Sequence, residues 1–170
     1  MLKFRIRESV AIMFDEYDFH DSIVIYNRYY NDTTGTEQYL GTRLDGVRVE
    51  FTKEQNQSKS GSEDVSDCLL KIPNDSTLPK PYLVPEIWND LTADEMLQNF
   101  TLSTDGDFFV LVKKKELNLD IDAPVGMQDS SIPEYDGGFY EYMKSKYSYV
   151  YQMSSFAVFS LIPYFQIGGK

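Results

Sequence analysis

The chain has few of the residues that usually carry catalysis or bind metals. Among its 170 residues there is one cysteine, Cys68, and one histidine, His20. A lone cysteine excludes an internal disulfide and a cysteine-cluster metal site, and the strand pattern around Cys68 predicts a buried structural thiol. Nucleophilic triads need a histidine or lysine base beside the nucleophile, and the chain has neither a Gly-x-Ser-x-Gly motif nor a phosphate-binding glycine loop. We therefore expect that the protein is not an enzyme.

Basic residues are also scarce. Lys and Arg total 16 against 27 Asp and Glu, which gives a net charge of -11. Binding to nucleic acid needs a basic patch that displaces counterions, and the only basic cluster, Lys113–Lys115, is interpreted as a solvated strand end. The acidity favours solubility, and it would also suit a surface along which DNA passes without sticking.

Long apolar runs are missing as well. No segment approaches the roughly 18 apolar residues of a membrane-spanning helix, and no apolar run follows the basic start at residues 1–7, so no signal peptide is predicted. A chain of this length fits one domain and buries roughly 70% of its unfolded surface, so its core needs neither disulfide nor metal.

Aromatic residues are abundant, with 13 Tyr and 11 Phe, and such rings favour strands and protein interfaces. They are concentrated near the end of the chain, where Tyr147–Met153 alternates, Ser154–Phe159 is apolar and Ile162–Ile167 is aromatic. This pattern predicts a closing strand docked in the core, in a sheet that leaves no free edge. The residues assigned to this core and closing strand are Tyr149, Tyr151, Phe165 and Ile167.

The remaining pattern predicts a mainly β protein, a single-domain β-barrel or sandwich with short helical insertions and long loops. Residues 1–20 are interpreted as an N-terminal extension and residues 21–170 as the β-rich domain. Strands are predicted at Ser22–Tyr30, Glu37–Leu44, Val47–Phe51 and Val65–Ile72, with a hairpin over Phe100–Lys115 and alternation at Leu117–Asp122. Helices are predicted at Pro85–Leu91, from the Thr92–Glu95 capping box to about Asn99, and at Phe139–Lys146, with a loop at Gly126–Gly138.

Two long loops are predicted, at about residues 52–64 and 73–85. The first has no apolar residue to offset its ordering entropy, and the second carries four of the seven prolines, which cannot donate to a strand ladder. We expect both to reach neighbouring subunits. The candidate interface residues in them are Lys53, Gln55, Asn56, Lys59, Pro79, Tyr82 and Leu83.

Acidic residues provide weak candidates for chemistry. Asp15, Glu16, Asp18, His20 and Asp21 offer ligands that hard cations accept, but the glycine and terminal glutamate of an EF-hand loop are absent. An acidic surface loop is the preferred interpretation, so we predict no metal and no cofactor. A turn likewise explains Asp105-Gly106-Asp107 better than calcium binding. Paired carboxylates for glycoside hydrolysis remain open.

Several motifs occur in a fixed order along the chain. They are Ile23–Tyr30, Tyr39–Val47, Asp67–Pro73, the Trp-bearing Pro85–Leu91, the Phe-Thr-Leu…Gly-Asp segment Phe100–Val110 and the ending Gly168-Gly169-Lys170. From roughly Asp21 to Lys170 the chain resembles an uncharacterised family of small tailed-bacteriophage proteins encoded among the head–tail joining genes. It departs from that pattern before Ile162, where the family often has an Asn-Arg-x-Gly-Ser…His segment.

The resemblance implies a structural virion protein of a phage neck or tail, a head–tail connector component of the head-closure (stopper) or tail-completion type. Such a protein forms an oligomeric ring with copies of itself and contacts neighbouring connector or tail proteins. DNA passes the channel without specific binding and no membrane is involved. The expected location is the head–tail junction of the virion, after synthesis in the bacterial host cytoplasm. The alternative is a carbohydrate-binding β-sandwich of a receptor-binding apparatus; a small hydrolase ranks third.

Overall fold

The computed structural model describes residues 19–52 and 67–170. The strands in these ranges are β1 (Asp21–Asn31), β2 (Thr36–Phe51), β3 (Cys68–Pro73), β4 (Phe108–Lys114), β5 (Leu119–Asp120), β6 (Gly126–Asp129), β7 (Val150–Phe159) and β8 (Tyr164–Gly169). The helices are α1 (Pro85–Trp88), α2 (Ala93–Leu97) and α3 (Phe139–Lys146), with 3₁₀ turns at Lys115–Leu117 and Pro133–Tyr135.

Six strands close into an antiparallel barrel in the order β1-β2-β3-β8-β7-β4, with β4 pairing back to β1. The short strand β5 pairs with β4, and β6 pairs with residues 38–41 of β2. The predicted mainly β fold with short helical insertions is confirmed, and of the two predicted architectures it is the barrel.

A bulge in β2 lets one long strand serve two neighbours. Asp21 pairs with Val47 and Ser22 with Asp45, so Gly46 is the extra residue in the ladder, at φ +70°. Glycine adopts this left-handed conformation without steric cost. Before the bulge β2 pairs with β1, and after it β2 pairs with β3, as expected from the turn or bulge signal at Asp45-Gly46.

The barrel strand β1 is buried on both faces. Ile23 and Ile25 belong to an interior cluster to which all six barrel strands contribute. Val24 and Tyr26 point outward and pack with Phe139 of α3 in a second cluster. The continuous apolar run of this strand follows from that double burial, because α3 covers its outer face. A third cluster, around Trp88 and Met96, places α1 and α2 against Leu40 of β2.

The C-terminal strand β8 lies between β3 and β7 and completes the barrel. Phe165 and Ile167 are both buried, so the predicted closing strand is confirmed. Tyr149 and Tyr151 are half-buried against the interior cluster.

Close packing explains the glycine at the end of β8. A Cβ at Gly169 would lie 2.7 Å from the Cys68 Sγ and 2.9 Å from the Tyr151 Cβ, which real side chains do not tolerate. Cys68 itself is fully buried, as predicted, and burial raises the pKa of its thiol to about 12.

The predicted hairpin over Phe100–Lys115 is wrong. Phe100 forms an isolated parallel bridge with Tyr82, and β4 pairs instead with β1 and β7. Both edges of β4 are therefore occupied, and the preceding segment has no ladder left to join. It is held by polar contacts, including a 2.7 Å hydrogen bond from the Asn27 amide to the Thr101 carbonyl oxygen.

Two smaller predictions also fail. The predicted loop at Gly126–Gly138 contains β6, which pairs with Gln38–Gly41 on the edge of β2 away from β1. Of the alternating segment Leu117–Asp122, only β5 pairs, because Asn118 takes the left-handed conformation at φ 50° and interrupts the extended chain. Both elements are short, so their formation depends on a neighbouring strand rather than on local pattern.

Candidate interaction surface

The predicted acidic metal candidate does not assemble in the described residues. Asp15, Glu16 and Asp18 lie outside them, and His20 is exposed. Asp21 is buried at the start of β1, so its assignment to an acidic surface loop is wrong. Within residues 19–52 and 67–170, no group of three or more His, Cys, Asp or Glu is placed to hold a metal ion.

Asp21 instead takes part in a buried ion pair. Its carboxylate accepts hydrogen bonds from the Val49 backbone N–H at 2.8 Å and from the Lys114 Nζ at 3.0 Å. Lys114 also donates to the Val49 carbonyl oxygen at 2.9 Å. Its side chain is 12% exposed, so the predicted solvated cluster at Lys113–Lys115 is wrong at this residue, while Lys113 and Lys115 are exposed.

A charged cleft surrounds this ion pair, but its charges are largely paired with each other. Arg48 contacts Glu50 at 2.6 Å, and Lys71 contacts the same carboxylate at 3.6 Å. The lining residues are His20, Asp21, Arg48, Val49, Glu50, Lys114, Lys115 and Glu116. This pairing balances the charge of the cleft and links β1, β2 and β4.

Asp107 is the second buried carboxylate and also has structural partners. It accepts hydrogen bonds from the Arg28 backbone N–H at 2.8 Å, the Asn27 Nδ2 at 2.8 Å and the Ser103 backbone N–H at 3.0 Å. Burial raises the pKa of Asp107 to about 7, against the opposing effect of these donors. The carboxylate fixes the segment before β4 to β1.

The β7–β8 hairpin presents an open strand edge. β7 pairs with β4 only over Val150–Gln152 and with β8 over Met153–Phe159. From Ser155 to Phe159 no described strand pairs with the edge opposite β8. Unpaired edges of this kind are templates for adding another strand.

Large apolar side chains are exposed on the same hairpin. Phe156 is 37% exposed, Val158 57% and Phe159 41%, and Leu161 at the tip is 96% exposed. Phe156 lies opposite Ile167 in the ladder, and Val158 lies opposite Phe165. Because opposite residues of an antiparallel ladder share a face, Phe156 and Val158 extend the core face of the sheet beyond the closed barrel.

Tyr82, a predicted interface residue, contributes to this region from the proline-rich segment. Its ring lies 4.6 Å from that of Phe165 and 6.4 Å from that of Phe156, measured between centroids. The Leu83 backbone N–H donates to the Phe100 carbonyl oxygen at 2.9 Å. This part of the predicted projecting loop therefore lies on its own barrel. We call Tyr82, Phe156, Val158, Phe159 and Leu161 the hairpin surface.

The other predicted interface residues divide into two groups. Pro79 is exposed next to this region. Lys53, Gln55, Asn56 and Lys59 lie outside the described residues. The predicted loop at 73–85 overlaps β3 at Pro73 and α1 at Pro85, and the residues between them form no helix or strand apart from the bridge at Tyr82.

The hairpin surface is also uncharged. No Asp, Glu, Lys or Arg occurs from Tyr147 to Gly169 in a chain whose net charge is -11. Soluble proteins usually protect edge strands with charged residues or proline, and here only Pro163, in the turn, belongs to that class. Sequence reasoning assigned Ser154–Phe159 to an apolar run and missed its exposure; the one available signal was this absence of charge.

None of the helices in the described ranges is long and apolar enough to cross a membrane. Comparisons with curated proteins and with solved structures found no match. A family model described as a family of unknown function matches residues 19–170, which includes the whole barrel and the hairpin surface. The chain therefore belongs to the family of unknown function DUF6751.

Proposed function

We propose that this protein is a structural component of tailed-phage particles that acts at the head–tail junction, as a head-closure or tail-completion subunit of an oligomeric ring. The order of sequence motifs from Asp21 to Lys170, which resembles small head–tail joining proteins, supports the phage context. The observation that carries the assembly role is the hairpin surface, which is apolar, uncharged and exposed in a strongly acidic chain. Exposed apolar patches of this kind mark interaction sites.

The fold suits such a role because the hairpin projects from a closed barrel. Strands β7 and β8 are anchored by Met153, Phe165 and Ile167 in the interior cluster, so the exposed residues are held on a rigid support. A rigid contact surface loses little conformational entropy on binding. The net charge of -11 fits a channel that DNA crosses without being retained.

The buried side chains that could take part in a reaction favour a non-catalytic protein. Asp21 and Asp107 are buried and occupied by backbone and side-chain donors. Cys68 is buried with a raised pKa, so its reactive thiolate form is suppressed. These three groups support the fold rather than a reaction.

A groove between the β1–β2 turn and the helices α1 and α2 favours the alternative, carbohydrate binding. Its lining includes the 61% exposed ring of Tyr30 together with Asn31, Asp32 and Asn89. Sugars stack on exposed rings and bond to amides and carboxylates. A glycan array probed with the full chain tests this alternative, with Tyr30→Ala as the variant that should lose any signal.

The test of the head–tail proposal uses a phage that encodes this chain. We expect mass spectrometry of gradient-purified particles to detect the protein, and deletion of its gene to leave filled heads and unattached tails. Plasmid-borne wild type should restore infectious particles. Particles that lack the protein, or a deletion without effect on head–tail joining, would show that the proposal is wrong.

Matched variants then connect the hairpin surface to joining. Val158 and Val125 are each 57% exposed, but Val125 lies before β6, away from β7 and β8. We expect Val158→Lys to fail to restore infectivity and Val125→Lys to restore it. Equal restoration by both would remove the assembly role of the hairpin.

A further inference from the structure

We infer that β7 pairs edge to edge, in antiparallel orientation, with β7 of a second copy of this chain, so that two copies form a two-fold dimer. The inference rests on the assembly role proposed for the hairpin surface, and it is independent of where in a particle the protein acts.

One edge of β7 is open. Ser155–Phe159 pairs with β8 on one side, and none of the described strands occupies the other side. The segment has the length of an ordinary strand. An added strand would satisfy the backbone donors and acceptors along this edge, which is the mode of recognition known as strand addition.

The identity of the occupant follows from symmetry and charge. In an antiparallel pair about a two-fold axis, the same strand is its own complement, so a second copy needs no other surface. Two copies with a charge of -11 each repel one another over most of their surfaces. The segment from Tyr147 to Gly169 has no charged side chain, so contact there brings no like charges together.

Exposed apolar side chains lie along the same strand. Phe156 and Val158 stand on one face of β7, the face shared with Phe165 and Ile167. Antiparallel pairing places these residues beside their counterparts from the other copy, because cross-strand neighbours on one face are in contact. The pair thereby removes from water apolar side chains that the barrel leaves uncovered.

A two-fold contact also limits what the pair can build. An isologous interface closes on itself and does not extend into a ring. A ring of these subunits would therefore use the β7 pair as a building unit and a second, different surface for the remaining contacts.

The first experiment measures the mass of the full chain by analytical ultracentrifugation over a range of concentrations. We expect a monomer–dimer equilibrium, with Val158→Lys weakening dimerisation at least about tenfold because each added lysine places a charge against the apolar side chains of the other copy. Val125→Lys should dimerise like the wild type. Thermal melts of both variants verify that they fold.

The second experiment locates the axis with single added cysteines at positions 155 to 161. The native Cys68 is buried and does not compete. An added oxidant converts two thiols into one disulfide by removing two protons and two electrons. In the proposed pair one position faces its own counterpart, so cross-linking should peak at a single position within Ser155–Phe159 and fall on both sides.

Three outcomes would overturn the inference. A full chain that stays monomeric at all concentrations excludes the dimer, while detection in particles would leave the head–tail proposal standing. A cross-linking maximum at Ser160 or Leu161 would mean contact through the tips of the hairpins. A monomer in which the amides at 155–159 that point away from β8 resist hydrogen exchange would mean that another segment of the same chain occupies the edge.

Discussion

Two buried aspartates connect β1 to segments far away in sequence. Asp21 joins the start of β1 to Val49 and Lys114, and Asp107 joins the middle of β1 to the segment before β4. A buried carboxylate is tolerated only when hydrogen bonds or an ion pair replace its lost hydration. Removing either partner therefore leaves the other buried without its hydrogen bond or ion pair, and the free energy of its lost hydration is no longer offset.

The first prediction concerns Asp21→Ala. The substitution leaves the Lys114 ammonium and the Val49 N–H buried without this acceptor, and breaking a buried pair on one side typically costs about 3–5 kcal/mol of unfolding free energy. Urea denaturation provides the measurement. Glu141→Ala is the control, because the Lys144–Glu141 pair is exposed and such pairs contribute about 0–1 kcal/mol. Equal losses of unfolding free energy in the two variants would mean that the buried pair stabilises the fold no more than an exposed pair.

The second prediction concerns the ionisation of Asp107. Its pKa is raised to about 7 by burial, against about 3.9 in an unfolded chain, so the folded state binds this proton more tightly. The contribution of Asp107 to stability is then greatest below pH 4 and is lost as the pH rises from about 4 through 7. Carbon-13 NMR titration of its carboxyl group should give a midpoint near 7. A midpoint below 4 would show that the three N–H donors outweigh burial.

At the scale of elements, a capping box fixes the start of α2. The Thr92 hydroxyl accepts from the Glu95 backbone N–H, and the Glu95 carboxylate accepts from the Thr92 N–H at 2.9 Å. Met96 anchors the helix beside Trp88 in the third cluster. The box was predicted from sequence, because both partners lie within one turn; the predicted end at about Asn99 is two residues too late.

The third prediction is that Thr92→Ala lowers the unfolding free energy by about 1 kcal/mol, the usual value of a cap. The substitution removes the side-chain acceptor for one of the unpaired N–H groups of the first turn. Thermal melts compare it with Thr104→Ala, which changes an exposed turn residue of the same type. An unchanged melting temperature for Thr92→Ala would show that the cap does not stabilise the domain.

The fourth prediction concerns β8, which is the element that completes the barrel. Ending the chain after Ile162 removes Phe165, Ile167 and the ladders to β3 and β7. Each large buried apolar side chain stabilises by about 1.5–3 kcal/mol, and a domain is stable by only about 5–15 kcal/mol. We expect the truncated chain to lose its cooperative melting transition in circular dichroism.

Point variants provide the control for this truncation. Ile167→Ala should cost about 2–5 kcal/mol, because it leaves a cavity in the interior cluster, whereas Gln166→Ala changes the half-exposed neighbour on the other face and should have little effect. A truncated chain that melts cooperatively like the full one would contradict the closing role of β8.

At the scale of the whole molecule, charge divides the surface into a strongly acidic part and a neutral part. The chain is strongly acidic, and of the lysines at 113–115 only Lys113 and Lys115 are exposed, since Lys114 is paired with Asp21. The hairpin surface is neutral by contrast. Protein contacts are therefore favoured at the hairpin, and phosphate contacts are disfavoured over the rest.

The fifth prediction is that the free protein shows no measurable binding to duplex DNA at physiological salt. Affinity for duplex DNA depends on cations that displace condensed counterions, and an acidic chain repels the phosphates. A mobility-shift assay with the full chain provides the measurement, with a basic DNA-binding protein as the positive control. Tight binding by this chain would contradict both the prediction and the proposed passage of DNA through its ring.

The sequence by itself determined the elements whose signals are local. Apolar and aromatic runs with flanking turn residues predicted β1 and β8, alternation predicted the end of β2, and the Thr92–Glu95 box predicted α2. These succeed because side-chain period and capping involve residues within a few positions of each other. The mainly β class was also predictable, since the apolar C-terminal strand had to be buried by pairing inside a sheet, but the choice between barrel and sandwich was not.

Only the tertiary structure decided which edges and faces remain open. The pairing of β4 with β1, the small strand β6 and the Asp21–Lys114 ion pair all join residues distant in sequence, so no local pattern encodes them. The hairpin surface shows the same limit most clearly. Phe156 and Val158 lie in an apolar run like that of a core strand, and whether such a strand is covered depends on the elements that surround it in space, not on its own residues.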